Sequence, residues 1–304
     1  MGKRLAHVRW FAVAGVSTLT ACSALVDFKG LAGSDDAAAG FDASDARLFD
    51  GSTDTPDGPT PDEAGDTIDA ANGPDGATFS CPAALHGPSL VAIDSPVRSY
   101  CIDQTEVTSA QYAAFLAANV PTSGQASVCS GNSSYVPCGT AAANDLPVAC
   151  VDWCDAFAFC KWAGKRLCGR IGGGSIDKGA ASIASLGQWY RACSLAGARA
   201  FPYGASYAPN SCNDTSLANG ASVVAGSLPK CVGGYPGIFD MSGNVNEWED
   251  SCTGSAGASD SCLLRGGAYD DSLGSGLLGC SLAANAHALR NQADPTVGFR
   301  CCAP

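Results

Sequence analysis

The pattern of apolar and polar residues predicts two helices near the middle of the chain. Thr108 and Gln111 form a Thr-x-x-Gln capping box, and apolar side chains follow at helical spacing in TSAQYAAFLAAN. In VDWCDAFAFCKWAGKRL, Asp152 is a good N-cap, and apolar residues again recur along one stripe. Gly164 is placed to end this second helix in a left-handed turn.

A third helix is predicted in SLGQWYRAC, where Ser185 and Gln188 make another capping box before apolar residues at i, i+3, i+4 and i+7. The rest of 79–304 consists of short apolar segments broken by turn residues, such as GPSLVAID and VGGYPGIFD. The chain has 37 glycines, which favour many tight turns over long regular elements. This pattern predicts an α+β domain with few helices, short strands and many loops.

The N-terminal pattern is different and indicates an exported protein. Lys3, Arg4 and Arg9 flank a short apolar run, FAVAGVSTL, which has the length of a signal-peptide core and is too short to span a membrane. Small residues then lead into Cys22, as in a bacterial lipoprotein signal; an ordinary signal with a chance cysteine is the alternative. We therefore expect residues 1–22 to be a signal peptide ending at an acylated Cys22. The lipid bilayer is then one partner, and the protein is anchored in the cell envelope, at the outer membrane or cell surface.

Residues 23–78 are rich in Asp, Ala, Gly, Pro and Thr and contain almost nothing to bury. Such a segment cannot offset the entropy of folding, so we expect a disordered tether. Its part 31–78 holds 12 acidic residues and one basic residue, which explains most of the net charge of −12. The remaining domain, 79–304, has no basic stripe to bind phosphates, and we therefore exclude nucleic acid as a partner.

The domain 79–304 carries 16 cysteines when Cys22 is left out. In an exported protein an even number of cysteines indicates a disulfide framework. A metal site such as Cys150-x3-Cys154 is the alternative. About 225 residues are enough for one compact domain with a real core.

The order of motifs along this domain resembles the formylglycine-generating enzyme (sulfatase-modifying factor) family. The motifs are CIDQTEVTSAQYAAFL, PVACVDWCDAFAFCKWAGKRL, GQWYRAC, FPYG, GIFDMSGNVNEWED, LRGGAY and VGFRCC. They cover nearly all of 95–302, and WAGKRL, DMSGNVNEW, RGG and GFR are the most specific of them. The resemblance implies the family's C-type-lectin-like α+β fold, which is low in regular secondary structure and here rich in disulfides.

The resemblance also implies a calcium site in GIFDMSGNVNEWED. Its ligands are the side chains of Asp240 and Glu247 and the carbonyls of Gly243 and Val245, and Ca²⁺ takes six to eight such oxygens. Asn246 stands where the family usually has tryptophan. A hydrogen-bonded turn without metal is the alternative. The family has a second calcium site, whose ligands we do not match in SCNDTSLANGASVV, and this site stays open.

Two disulfides are implied by the same resemblance, Cys160–Cys301 and Cys193–Cys280, with Cys302 as an alternative partner in the first. Each closes a loop of more than 80 residues, worth on the order of 4–5 kcal/mol in the chain-entropy model. For the other cysteines, proximity along the chain gives three weaker guesses: Cys129–Cys138, Cys212–Cys231 and Cys252–Cys262.

The family's enzymes oxidise a substrate cysteine with two cysteines of their own that hold copper, and these follow RGG five residues apart. In this chain the two positions fall near Asp270 or Asp271 and near Ser275 or Gly276. The serine that follows RGG in the family is Ala268. We therefore expect neither copper, which needs soft thiolate ligands, nor the inherited oxidation.

Histidines cannot replace these cysteines as a three-histidine metal site, because His7 leaves with the signal peptide and only His86 and His287 remain. A mixed site of His287 with Asp270 or Asp271 has ligand types that suit iron or zinc. The sequence predicts a surface-anchored binding or structural module whose partner is a protein or a glycan. The alternatives are a formylglycine-generating oxidase, or another metal-dependent oxidoreductase that uses the same cleft.

Overall fold

A computed structural model describes residues 79–139, 142–281 and 286–304. The predicted signal peptide and tether, residues 1–22 and 23–78, lie outside the described residues. The described residues form an α+β fold of three α-helices and eight short strands with much loop between them. No helix among them is long and apolar enough to cross a membrane.

The three helices are α1 (Ser109–Ala117), α2 (Trp153–Trp162) and α3 (Gln188–Ser194). The capping box of α1 is confirmed: the Thr108 amide donates to Gln111 Oε1 at 2.9 Å, and the Gln111 amide donates to Thr108 Oγ1 at 3.4 Å. Asp152 caps α2 as predicted, by accepting from the amide of Asp155 at 2.9 Å. Gly164 follows that helix with a φ of +76°.

The predicted capping box of α3 is wrong. The helix begins at Gln188 after Gly187, and no side chain caps it. The Gln188 side chain is fully buried, and its Oε1 accepts from the amide of Gly169 at 3.1 Å and from the guanidinium of Arg166. This glutamine therefore binds the neighbouring strand region instead of turning back to its own helix terminus.

The strands form two four-stranded sheets. In chain order the strands are β1 (Leu90–Ile93), β2 (Tyr100–Asp103), β3 (Arg166–Leu167), β4 (Asn246–Cys252), β5 (Ser261–Arg265), β6 (His287–Leu289), β7 (Val297–Phe299) and β8 (Cys301–Ala303). The first sheet has the order β1-β2-β8-β3, and all its pairs are antiparallel. The second has the order β6-β5-β4-β7, in which β4 and β7 run parallel. Arg300 alone separates β7 from β8, so the chain passes between the sheets at this residue.

The core consists of two groups of buried side chains. Aromatic rings from α1, α2 and β7 form the first group, in which the Phe159 centroid lies 5.6 Å from that of Tyr112 and 5.3 Å from that of Phe299. Trp189 of α3 is the centre of the second group and packs with Ile102 and Met241. Side-chain packing therefore holds the helices against the short strands.

All 16 cysteines of the described residues are paired. The two pairs that the family resemblance implied are present, Cys160–Cys301 and Cys193–Cys280. Two of the proximity guesses, Cys212–Cys231 and Cys252–Cys262, are present as well. The other pairs are Cys81–Cys101, Cys129–Cys154, Cys138–Cys150 and Cys168–Cys302.

The guess Cys129–Cys138 is therefore wrong, and the metal alternative for Cys150 and Cys154 is excluded by their disulfides. Cys129 packs against α2 and pairs there with Cys154, whereas the amide of Cys138 donates to the Cys150 carbonyl at 2.8 Å. Proximity along the chain did not indicate this contact between a loop and a helix.

Cys302 does not replace Cys301 in the pair with Cys160. Both residues lie in β8, where successive side chains point to opposite faces of the sheet. Cys301 therefore reaches Cys160 of α2 on one face, and Cys302 reaches Cys168 on the other.

The lysine of the WAGKRL motif forms a buried ion pair. Lys165 Nζ lies 2.5 Å from Asp103 Oδ1 and also donates to the Pro88 carbonyl at 2.8 Å, and both charged side chains are inaccessible to solvent. The second oxygen of Asp103 accepts from the amide of Cys301 at 2.8 Å. Burial raises the pKa of Asp103 to about 6, and the charge of Lys165 opposes that rise.

We expect the removal of Cys193–Cys280 to destabilise the protein more than the removal of Cys252–Cys262. The first bridge spans 87 residues and the second 10, so the double alanine variants should lose about 4–5 and about 3 kcal/mol in the chain-entropy model. Urea denaturation of the oxidised proteins measures both losses. Equal losses would contradict loop closure as the source of the difference.

We expect Lys165→Met to lower the free energy of unfolding by about 3–5 kcal/mol, because it leaves the buried Asp103 carboxylate unpaired. Lys161→Met is the matched control, since Lys161 is exposed on α2 and should change stability by no more than about 0.5 kcal/mol. Denaturant titration measures both. Similar small losses in the two variants would show that the ion pair is unimportant.

Candidate functional site

The stretch after β5 begins with Arg265-Gly266-Gly267, and each of these residues has a structural reason. Arg265 Nε donates to Glu249 Oε2 at 2.6 Å, and its guanidinium lies 5.4 Å from the Trp189 ring centroid. Gly266 and Gly267 have φ values of +83° and +71°, which other residues rarely adopt. The motif is therefore explained by packing and backbone conformation.

The positions at which the family resemblance places two catalytic cysteines follow this motif in a local turn. Asp270 is exposed, while Asp271 Oδ2 accepts from the amide of Ala268 at 2.9 Å. Ser275 Oγ donates at 2.8 Å to a backbone carbonyl of its own 3₁₀ turn, and Gly276 ends that turn with a φ of +72°. These residues supply oxygen atoms and a tight turn, and no thiol.

Thiolates are absent from the rest of the described chain as well. Its 16 cysteines are all bonded in the eight disulfides, so none of them can bind Cu(I) as a thiolate. Cys22 lies outside the described residues.

The two histidines of the described residues do not form a three-residue metal group with these carboxylates. His86 stacks on the Trp162 ring at a centroid distance of 4.3 Å, and His287 is exposed in β6. Over residues 79–139, 142–281 and 286–304, no three or more His, Cys, Asp or Glu side chains come together as a metal-binding group. The alternative of a histidine-centred site with Asp270 and Asp271 therefore has no three-residue ligand group in the described chain.

The predicted calcium ligands lie in a strongly bent segment before β4. Asp240, Gly243 and Asn244 all have positive φ, at +58°, +71° and +66°. A Cβ added at Gly243 would lie 2.2 Å from the Asn213 carbonyl oxygen, so only glycine fits there. This close approach fixes the path of the backbone between Asp240 and Glu247.

Glu247 is fully engaged by hydrogen-bond donors. Its Oε1 accepts from Arg300 Nε at 2.9 Å and from Arg300 Nη2 at 2.7 Å. Its Oε2 accepts from Arg300 Nε at 2.7 Å and from Trp189 Nε1 at 2.7 Å. Arg300 Nε carries one hydrogen, which the two oxygens share, so three N–H groups in all donate to this carboxylate. In this arrangement Glu247 offers no free oxygen to a cation.

Asp240 has a free oxygen, and a second carboxyl group lies beside it. Asp240 Oδ2 accepts from the amide of Gly226 at 2.5 Å, whereas Oδ1 is buried and has no partner. Glu106 is fully buried; its Oε1 accepts from Asn244 Nδ2 at 3.0 Å, and its Oε2 has no partner. The two carboxyl groups lie within hydrogen-bonding reach of each other.

Glu106, Asp240 and Glu247 can carry more negative charge than the guanidinium of Arg300 balances. Burial raises the pKa of Glu106 well above its usual value, and the charge of Asp240 adds to that rise. Burial also raises the pKa of Asp240 to about 6, against the opposing effect of the Gly226 amide. Three buried carboxyl groups therefore face the single guanidinium of Arg300. The two unpartnered oxygens fit a hard cation such as Ca²⁺, while Glu247 does not.

Hydrogen bonds of its own side chains stabilise the segment SCNDTSLANGASVV, for which the question of a second calcium site stays open. Asn213 Nδ2 donates to Asn244 Oδ1 at 3.1 Å, and Asn219 Nδ2 donates to Asn213 Oδ1 at 3.1 Å. Asp214 accepts from the Tyr207 hydroxyl at 3.0 Å and from the amide of Ser216 at 2.7 Å. These polar side chains therefore support the bent segment through Asn244.

Sequence reasoning missed Glu106 as part of the site and did not assign a role to Arg300. Glu106 stands between β2 and the α1 cap in the segment DQTEVT, where its mostly polar neighbours give no sequence signal that it is buried. Arg300 belongs to the GFR motif, which is specific to the family, but the sequence did not indicate which groups its side chain binds. Neither pairing can be derived from spacing, because 138 residues separate Glu106 from Asn244.

Three solved structures are similar to this chain, at low identity. PvdO from Pseudomonas aeruginosa is 19% identical with a TM-score of 0.46, covering 67% of this chain and 80% of that one. CarF is 22% identical with a TM-score of 0.43, covering 68% and 86%. Treponema denticola variable protein 1 is 18% identical with a TM-score of 0.41, covering 72% and 92%. No curated protein sequence matches the chain.

A model of one protein family matches residues 88–303, which is more than half of the chain. Its description is sulfatase-modifying factor enzyme 1-like domain. The matched range contains both sheets and all three helices, and seven of the eight disulfides lie wholly within it. The chain therefore belongs to the sulfatase-modifying factor enzyme 1-like family.

Proposed function

We propose that this domain is a binding or structural module that does not oxidise cysteine to formylglycine. The observation that carries the proposal is the chemistry at the family's cysteine positions, where Asp271 binds a backbone amide and Gly276 ends a turn. All cysteines of the described residues are in disulfides, so none of them can supply a substitute pair of thiols. A shared fold does not carry a reaction when the reacting groups are missing.

The proposed setting is the cell envelope. Eight disulfides in the described residues support export, since such bridges persist in oxidising compartments. An acylated Cys22 would hold the chain on the outer membrane or cell surface, and residues 23–78 would act as a spacer. The domain is then presented to ligands outside the cell.

Calcium is part of the proposal. The unpartnered oxygen of Asp240 supports it, as does the bent segment that leads into β4. Bound Ca²⁺ would neutralise buried carboxylate charge and stabilise this segment. Its role here would be structural.

A polar cavity supports a protein or glycan as the ligand. The cavity has a volume of about 270 Å³ and lies where a loop packs on the N-terminus of α2. Arg290 is buried in its wall, where Nη1 pairs with Asp260 at 3.0 Å and Nε has no partner, and Asp152 also lines the cavity. Carboxylate, amide, hydroxyl and guanidinium groups of this kind bind the hydroxyls of a sugar. The polar wall residues include Asn132, Ser133, Ser134, Asp152, Arg290 and Asn291.

We expect a cysteine-containing sulfatase peptide to keep its mass after incubation with the purified chain, Cu(I) and oxygen. The described residues contain no free thiolate to bind the copper, so no conversion to the aldehyde should occur. Mass spectrometry of the peptide measures this, with an authentic formylglycine-generating enzyme as positive control. Formation of the aldehyde would refute the proposal and establish the oxidase.

We expect the chain to bind envelope glycans on an array, and Asn291→Ala to weaken that binding roughly two- to tenfold, as expected for one lost hydrogen bond. Asn119→Ala is the matched control, because Asn119 is an exposed asparagine outside the cavity. Unchanged binding by Asn291→Ala would remove the cavity from the proposal. If no glycan is bound, a protein remains as the ligand class.

A further inference from the structure

We propose that Glu106 is a calcium ligand in this chain, together with Asp240, and that Glu247 is not. The inference rests on the calcium part of the proposed function and deepens it by naming a ligand that the family pattern does not contain.

The first step is the loss of Glu247 as a ligand. Both of its oxygens accept from Arg300, and Oε2 also accepts from Trp189, at 2.7–2.9 Å. A cation at Glu247 would have to displace a buried guanidinium that also donates to the carbonyls of Asp103 and Phe239. Arg300 already supplies the positive charge that balances the Glu247 carboxylate.

The second step is the position of Glu106. The amide of Phe239 donates to the Gln104 carbonyl at 2.8 Å, and the amide of Val107 donates to the Phe299 carbonyl at 3.0 Å. The first bond holds the segment around Glu106 against the one that carries Asp240, and the second holds it against β7. Asn244 then occupies Glu106 Oε1, which leaves Oε2 as the free oxygen.

The third step is charge. Glu106 Oε2 and Asp240 Oδ1 accept from no other side chain or amide, and without a metal the two neighbouring carboxyl groups can only share a proton; among the described residues, Arg300 is the cation beside them. Buried charges in proteins are paired or coordinate metals, because an isolated buried carboxylate is costly. A divalent cation between Oε2 of Glu106 and Oδ1 of Asp240 would compensate both carboxylates at once.

The fourth step is the kind of cation. The free donors are carboxylate oxygens, the carbonyls of Gly243 and Val245 lie in the same bent segment, and water can complete the shell. Oxygen-only donors in flexible geometry suit Ca²⁺, whereas zinc and copper prefer histidine or cysteine. Within the described residues no histidine or free cysteine joins this group.

The experiment uses the full chain, stripped of metal with a chelator and titrated with CaCl₂ by calorimetry. Thermal unfolding is measured in chelator and in excess calcium. Glu106→Gln keeps the shape of the side chain and removes its charge. Glu249→Gln is the matched control, since Glu249 is also a fully buried glutamate with an unpartnered oxygen and an arginine partner.

We expect Glu106→Gln to raise the calcium Kd at least roughly tenfold, the lower end of what the loss of even an outer-shell partner costs. In chelator this variant should unfold at the same temperature as the unchanged protein or higher, because an uncompensated buried carboxylate is gone. The calcium-dependent rise in Tm should disappear. Glu249→Gln should keep the calcium affinity of the unchanged protein.

Two results would overturn the inference separately. If the unchanged chain binds calcium and Glu106→Gln binds it equally well, Glu106 is not a ligand, while the proposed calcium site stands. If the unchanged chain binds no calcium, both fall. A Glu106→Gln variant that is less stable in chelator and still shows the full calcium-dependent rise in Tm would assign Glu106 a purely structural role.

Discussion

The buried guanidinium of Arg300 is the interaction on which the rest of this domain depends. Arg300 lies at the one residue between β7 and β8, where the chain leaves one sheet and enters the other. It pairs with Glu247 of β4 and donates to the carbonyls of Asp103 and Phe239. Arginine is suited to this place because its planar fork of five N–H donors binds several acceptors in fixed directions.

The same guanidinium belongs to the scaffold that this chain shares with its family. Arg300 and Glu247 each satisfy a buried partner, and Gly266 and Gly267 have backbone conformations that other residues rarely adopt. A change at any of these would cost stability. Asp270 and Ser275, in contrast, lie in or near a local turn where neither side chain is buried. The reacting positions can therefore change while the fold is retained.

Local elements of the fold followed from the sequence where neighbouring residues supply both partners of an interaction. Thr108 and Gln111 satisfy each other across three residues, and Asp152 caps α2 in the same local manner. Ser185 and Gln188 have the same spacing, but Gln188 binds the distant Gly169 instead. A buried amide goes to the partner that the tertiary structure provides, and spacing alone does not reveal that partner.

The sequence alone determined the family, the α+β class, the disulfide framework and the absence of cysteine between RGG and Cys280, because motif order and residue type carry this information. Only the tertiary structure decided which groups meet. It paired Cys129 with Cys154 across a loop and a helix, engaged both oxygens of Glu247, and brought Glu106 beside Asp240. Such contacts join residues far apart in the chain. Once these residues are buried, each charge without a partner destabilises the folded protein.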